Sequence, residues 1–131
     1  MIKIPFNPNA SLLRFECVVE YQTRAGALMA LDTGASTVVL SREILESIGY
    51  DLDAVIERES FGNASREHTV PKVMLTALSL DKAKLEHVEA LCYTLPDYLG
   101  IDGVIGLNFL RRFKEVSLNF EDGILSLKPK D

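Results

Sequence analysis

The chain drives a five-residue apolar run, Ala27-Leu28-Met29-Ala30-Leu31, directly into Asp32-Thr33-Gly34-Ala35-Ser36. A run of that kind reads as a buried strand, and here it ends on a carboxylate. Such a group is costly to take from water unless nearby donors satisfy it. Gly34 lacks the side chain that would keep backbone amides away from the carboxylate, and Thr33 adds a hydroxyl. Ala35 and Ser36 are small enough for a substrate or a second chain to approach. The fold has to present a tight, donor-rich turn at the end of an interior strand.

The rest of the chain supplies the sheet that such a strand needs. Alternation in residues 13–20, a turn over 21–26 and the return through 27–31 predict a hairpin that delivers Asp32 at its end. The β-branched run 37–40 predicts a short strand near the turn it leaves. Ser41 is placed to cap a helix with Ile44, Leu45 and Ile48 on one face, Glu43 in its first turn and Gly49 at its stop. Residues 57–76 read as a hairpin around Phe61-Gly62-Asn63-Ala64-Ser65, whose small residues suit a mobile tip. Pro71 keeps the returning arm at a sheet edge or at the hairpin's end. Segments 77–83, 85–93, 116–120 and 124–127 supply further strands, the last two joined by a Glu121-Asp122-Gly123 turn.

Composition bounds the function. At 131 residues, 47% hydrophobic and 25% charged, the chain is one domain spanning 1–131, able to bury about two-thirds of its unfolded surface. A net charge of −5 without a basic block argues against nucleic acid as partner. The longest apolar stretch is too short to span a bilayer and the first residues carry no signal-peptide pattern, so no membrane association and a cytoplasmic location are expected. Cys17 and Cys92 have no disulfide or metal spacing and read as buried free thiols, in keeping with a reducing compartment. His68 and His87 lack companion ligands, so no metal and no cofactor are expected.

Far downstream of the first turn stands Gly103-Val104-Ile105-Gly106-Leu107-Asn108-Phe109-Leu110. Asp-Thr-Gly at the end of a strand, followed later by two apolar residues and a glycine, resembles the retroviral-type (retropepsin-like) aspartic proteases over most of the chain. The run through Arg111-Arg112-Phe113 and the strand pattern after it look most like the bacterial single-domain members. The resemblance implies a mostly β fold, a closed acid-protease barrel with one or two short helices and a flap hairpin. It implies a homodimeric aspartic endopeptidase acting on peptide or protein substrate.

In that reading Asp32 is the catalytic carboxylate, Thr33 hydrogen-bonds across the dimer, and the Gly34 amide donates to the carboxylate. Gly106 passes behind the turn, and Asn108 matches the asparagine of viral relatives. Leu107 stands where they usually carry arginine, so their ion pair should be absent. Ala35, Val104, Ile105 and the flap residues Phe61, Gly62, Asn63 and Ala64 are the candidate substrate-binding set. Tyr93, Pro96 and Tyr98 read either as cleft lining or as a loop packed on its own surface. None of the other aspartates before the last residue precedes Thr-Gly or Ser-Gly. Asp102-Gly103 comes nearest in form, so the second carboxylate of a proton-sharing pair is expected from a second copy across a twofold axis. A binding or dimerisation module of the same fold, with little or no catalysis, is the alternative.

Overall fold

The computed structural model describes residues 1–61 and 68–131. Strand β1 (Ile2–Pro5) opens the chain, followed by the hairpin β2 (Arg14–Glu20) and β3 (Arg24–Leu31), then β4 (Val38–Leu40) and helix α1 (Arg42–Ser47). A second hairpin joins β5 (Arg58–Phe61) to β6 (His68–Leu80), which turns back into β7 (Ala83–Cys92). A 3₁₀ turn at Asp97–Leu99 precedes β8 (Gly103–Ile105), α2 (Leu107–Leu110), β9 (Phe113–Asn119) and β10 (Ile124–Pro129).

Six strands close into a barrel in the order β2-β3-β8-β4-β7-β6, because β6 pairs back onto β2 from Cys17↔Leu80 to Glu20↔Ala77. Closure satisfies the edges of the strands that hold the site. Strand β5 extends the far end of β6, and β1, β10 and β9 form a separate three-stranded sheet. Inward residues such as Phe15, Val19, Met29, Leu40, Leu75 and Ile105 fill the barrel, and Ile4, Phe113, Leu125 and Leu127 carry the small sheet into the same core.

A second, smaller cluster lies on the other face of the same strands: Ala30, Val39, Val70, Leu91 and Val104, with Phe61, Tyr93 and Leu95 packed against it. Residues adjacent in a strand point to opposite faces, so Val39 and Leu40, or Val104 and Ile105, serve the two clusters in turn. This is why the segments around the site are continuously apolar instead of alternating.

Helix α1 follows its sequence signals. The Ser41 hydroxyl accepts from the Ile44 amide at 3.2 Å, Leu45 and Ile48 are fully buried, and Gly49 takes a φ of +114° just past the end. Three features differ from expectation. Residues 2–5 form a strand that the sequence reading did not assign. The first hairpin's turn is confined to residues 21–23. The returning arm of the 57–76 hairpin and the segment expected at 77–83 are one strand, β6, whose inward phase slips where Ala77 and Leu78 are both buried. Pairing with β7, and with β2 from Ala77, carries the strand through that slip. Pro71 faces Arg58 of β5 just before β7 pairing begins at Lys72, which is how a proline fits there. Among the described residues no helix is long and apolar enough to cross a membrane.

Candidate active site

Strand β3 runs parallel to β8 with Leu31 opposite Ile105, and the Asp32 amide donates to the Ile105 carbonyl at 3.1 Å. The chain then turns at once. The Ala35 amide donates to the Asp32 carbonyl at 3.2 Å and the Gly34 amide to the Asp32 carboxylate Oδ1 at 2.9 Å. Among the described residues no other donor reaches this carboxylate, so Oδ2 remains available for chemistry.

The turn is braced from behind. Leu107 and Asn108 donate their amides to the carbonyls of Ala35 and Ser36 at 2.8 and 3.1 Å. Gly106 allows this approach, because a Cβ there would lie 2.6 Å from the Thr37 carbonyl carbon. The Asn108 side chain ties β4 to β7, accepting from the Val38 amide and donating to the Glu89 carbonyl, both at 2.9 Å. The four hydrogen bonds of Leu107 and Asn108 thus hold the segment that follows Asp32 without touching its carboxylate.

Asp32 opens onto a groove of about 400 Å³. Its floor is the smaller apolar cluster, with Ala35, Val39, Leu91, Leu95 and Val104, and one wall is the β5 arm with Glu59, Ser60 and Phe61. A larger cavity, near 530 Å³, borders Glu16, Gly26 and Asp81 and contains no part of the turn. Glu59 of the groove wall has its Oε1 3.3 Å from Lys72 Nζ, which also lies 3.0 Å from Glu89 Oε2. The hydrogen bonds to Glu89 and Glu59 raise the Lys72 pKa, so that ammonium stays charged.

Of the residues singled out in the sequence, the structure gathers Asp32, Gly34, Ala35, Phe61 and Val104 around one groove. Ile105 is fully buried with its side chain in the barrel core, and only its carbonyl serves the turn. Thr33 is exposed and borders a separate groove with Leu31, Leu107 and Leu110. Gly62, Asn63 and Ala64 lie outside the described residues.

Tyr93 stacks on Phe61, Tyr98 is 86% exposed, and Leu95 is the residue of that loop that reaches the groove. Leu91, Leu95 and Val39 carried no signal as groove residues, because an apolar residue on a wall strand looks the same whichever face it serves. Asp102 is occupied elsewhere: its Oδ2 accepts from the Leu28 amide at 2.8 Å, clamping β3 to the segment before β8.

A family model described as aspartyl protease matches residues 24–109. The fold is similar to the crystal structure of a retropepsin-like aspartic protease from Rickettsia conorii, with a TM-score of 0.73 and 23% identity over 96% of this chain and 88% of that one. It is also similar to the retroviral protease-like domain of Ddi1 from Leishmania major, with a TM-score of 0.55 and 15% identity over 91% and 90% of the two chains. No curated protein sequence matches this chain.

Proposed function

From the premise that this chain belongs to the aspartyl protease family, we propose that it is a homodimeric endopeptidase whose water is activated between two Asp32 carboxylates, one from each copy. The observation that carries the reading is the turn itself. Asp32 is held by the Gly34 amide on one oxygen, its other oxygen meets no donor among the described residues, and it faces a groove with an apolar floor. The side chain is only part-buried, so the second oxygen is open to a water or a substrate at the groove.

Peptide hydrolysis by carboxylates needs one ionised group to take a proton from water and one protonated group to donate to the carbonyl oxygen. Two carboxyls brought together share one proton, since both cannot ionise at close range. Within this chain Asp102 is committed to the Leu28 amide and Glu59 to Lys72, so neither is free to serve as the second group. A twofold axis beside Asp32 supplies it. In the reaction one Asp32 accepts a proton as the water oxygen attacks the carbonyl carbon, and the other donates its proton to the developing oxyanion. The C–N bond then breaks as the amine takes a proton from the first Asp32 and a hydroxyl of the diol intermediate returns one to the second, which leaves the acid and amine products and a pair that again holds one proton.

The groove fits an extended peptide that places an apolar side chain on Val39, Leu91, Leu95 and Val104, with the β5–β6 hairpin as its cover. The test is sedimentation equilibrium with and without a peptidic transition-state mimic, alongside cleavage of an unfolded protein across acid pH. A dimer tightened by the mimic, with cleavage lost in Asp32→Asn, is the expected result. A monomer that cleaves nothing, or cleavage indifferent to Asp32→Asn, overturns the reading in favour of a binding module.

A further inference from the structure

Strand pairing sets one residue from each of four strands in a row along the groove floor. Val104 of β8 lies opposite Val39 of β4, Val39 opposite Leu91 of β7, and Leu91 opposite Lys72 of β6. Residues directly opposite in a ladder share a face, so the row is apolar from the strand beside the Asp32 turn until it ends on an ammonium.

Glu59 and Glu89 flank that ammonium at 3.3 and 3.0 Å. Two carboxylates thus share one cation, and this end of the groove carries an excess of one negative charge. The Glu59 and Glu89 side chains are 38% and 43% exposed against 18% for Lys72, so an incoming group meets carboxylate before ammonium. Glu59 and Phe61 both line the groove, whereas Arg58 lies on the other face of β5 and donates to the Thr69 hydroxyl and carbonyl. Among the described residues that line the groove there is no cation to offset Glu59.

We propose that Glu59 sets the substrate preference of this groove: a lysine or arginine close to the scissile bond lays its hydrocarbon stem along Val39 and Leu91 and brings its cationic head to the Glu59 carboxylate. This rests on the peptidase reading above and names the class of peptide cut. Long basic side chains join an apolar stem to a charged tip, which matches a floor that is apolar and then acidic. An aliphatic side chain uses the floor alone, and an acidic one meets like charge. Holding a cation asks only for an open oxygen, which the Glu59 contact to Lys72 through Oε1 allows.

The test is a set of peptides in which lysine, norleucine or glutamate occupies each of the four positions around a central bond in turn, assayed near pH 6, where ordinary carboxylates are charged. At one position kcat/KM for lysine is expected to exceed that for norleucine, which has the stem without the charge, by about five- to tenfold, with glutamate lowest. Glu59→Gln should bring lysine and norleucine within about twofold of each other, and Glu59→Lys should reverse the order of lysine and glutamate, with circular dichroism confirming that both variants fold. No lysine preference at any position in wild type, or one that survives Glu59→Gln, overturns the proposal, while cleavage lost in Asp32→Asn leaves the peptidase reading intact. Where nothing is cleaved, fluorescence anisotropy of the same peptides reads the groove directly. Tighter binding of a lysine peptide that depends on Glu59 then supports the preference and overturns the peptidase reading, and equal binding of all three overturns both.

Discussion

The Phe61 ring stacks on Tyr93, with centroids 4.4 Å apart and planes 27° from parallel. Phe61 ends β5 and Tyr93 follows β7, so the contact pins the hairpin arm to the barrel beside the groove. Aromatic pairs contribute about 0.5–1.5 kcal/mol beyond the area they bury, equivalent to roughly two- to tenfold in an equilibrium. Tyr93→Ala is predicted to lower kcat/KM by about that factor, chiefly through KM, because a loosened arm closes less well over peptide. Tyr93→Phe retains the stack and should stay near wild type in steady-state kinetics. An unchanged KM in Tyr93→Ala would show that other contacts hold the arm.

Gly106 has no room for a side chain. A Cβ would lie 2.6 and 2.7 Å from the carbonyl carbon and oxygen of Thr37 and 3.0 Å from the Ala35 oxygen, all of them backbone atoms. Relief requires the Asp32 turn to move away from α2, stretching the Leu107 to Ala35 hydrogen bond. Gly106→Ala should destabilise the fold by about 1–3 kcal/mol, the usual range for overpacking. It should also reduce activity in the fraction that remains folded. Urea denaturation with an unchanged m-value, paired with cleavage per folded molecule, separates the two effects.

Ala35 borders the groove next to Asp32 and contributes only a methyl group. A hydroxyl at this position can donate to an ionised carboxylate pair and favour its charged form. Ala35→Ser is therefore predicted to move the pH optimum of cleavage in the acid direction, with a shift of roughly one unit. Coincident pH-rate profiles for the two proteins would count against this.

Much of the site was legible because its demands are local. A carboxylate after an apolar run needs a donor, and Gly34 supplies it within two residues. The helix at 42–47 was legible for the same reason, as Ser41, Glu43 and Gly49 are its own start and stop signals. What escaped depends on pairing between distant segments. Strand β1 is four residues long and exists through β10 alone. Ile105 and Val104 are adjacent, similar residues, and the strand pleat sends one into the barrel and the other to the groove. Leu95 follows a tyrosine and a threonine in an irregular segment with no period from which to read its direction.

Cys17 yields a prediction about alkaline stability. Its side chain is buried in the barrel core with Sγ 3.7 Å from the Phe15 carbonyl, and burial pushes the thiol from its ordinary 9.0 up to about 12. The folded chain holds this proton more tightly than the unfolded one. Below about pH 9 both forms keep it and the contribution to stability is constant. As pH rises from about 9 towards 12 the unfolded chain loses the proton first, so stability falls, by roughly 4 kcal/mol if the whole gap is traversed. Urea midpoints between pH 8 and 11 should decline more steeply for wild type than for Cys17→Ala. The variant itself should start lower by about 1 kcal/mol or more from the space it leaves. Cys92 and Tyr50 are also raised by burial and act in the same direction, so the variant keeps a residual slope. Parallel curves for the two proteins would assign the alkaline loss to those groups and not to Cys17.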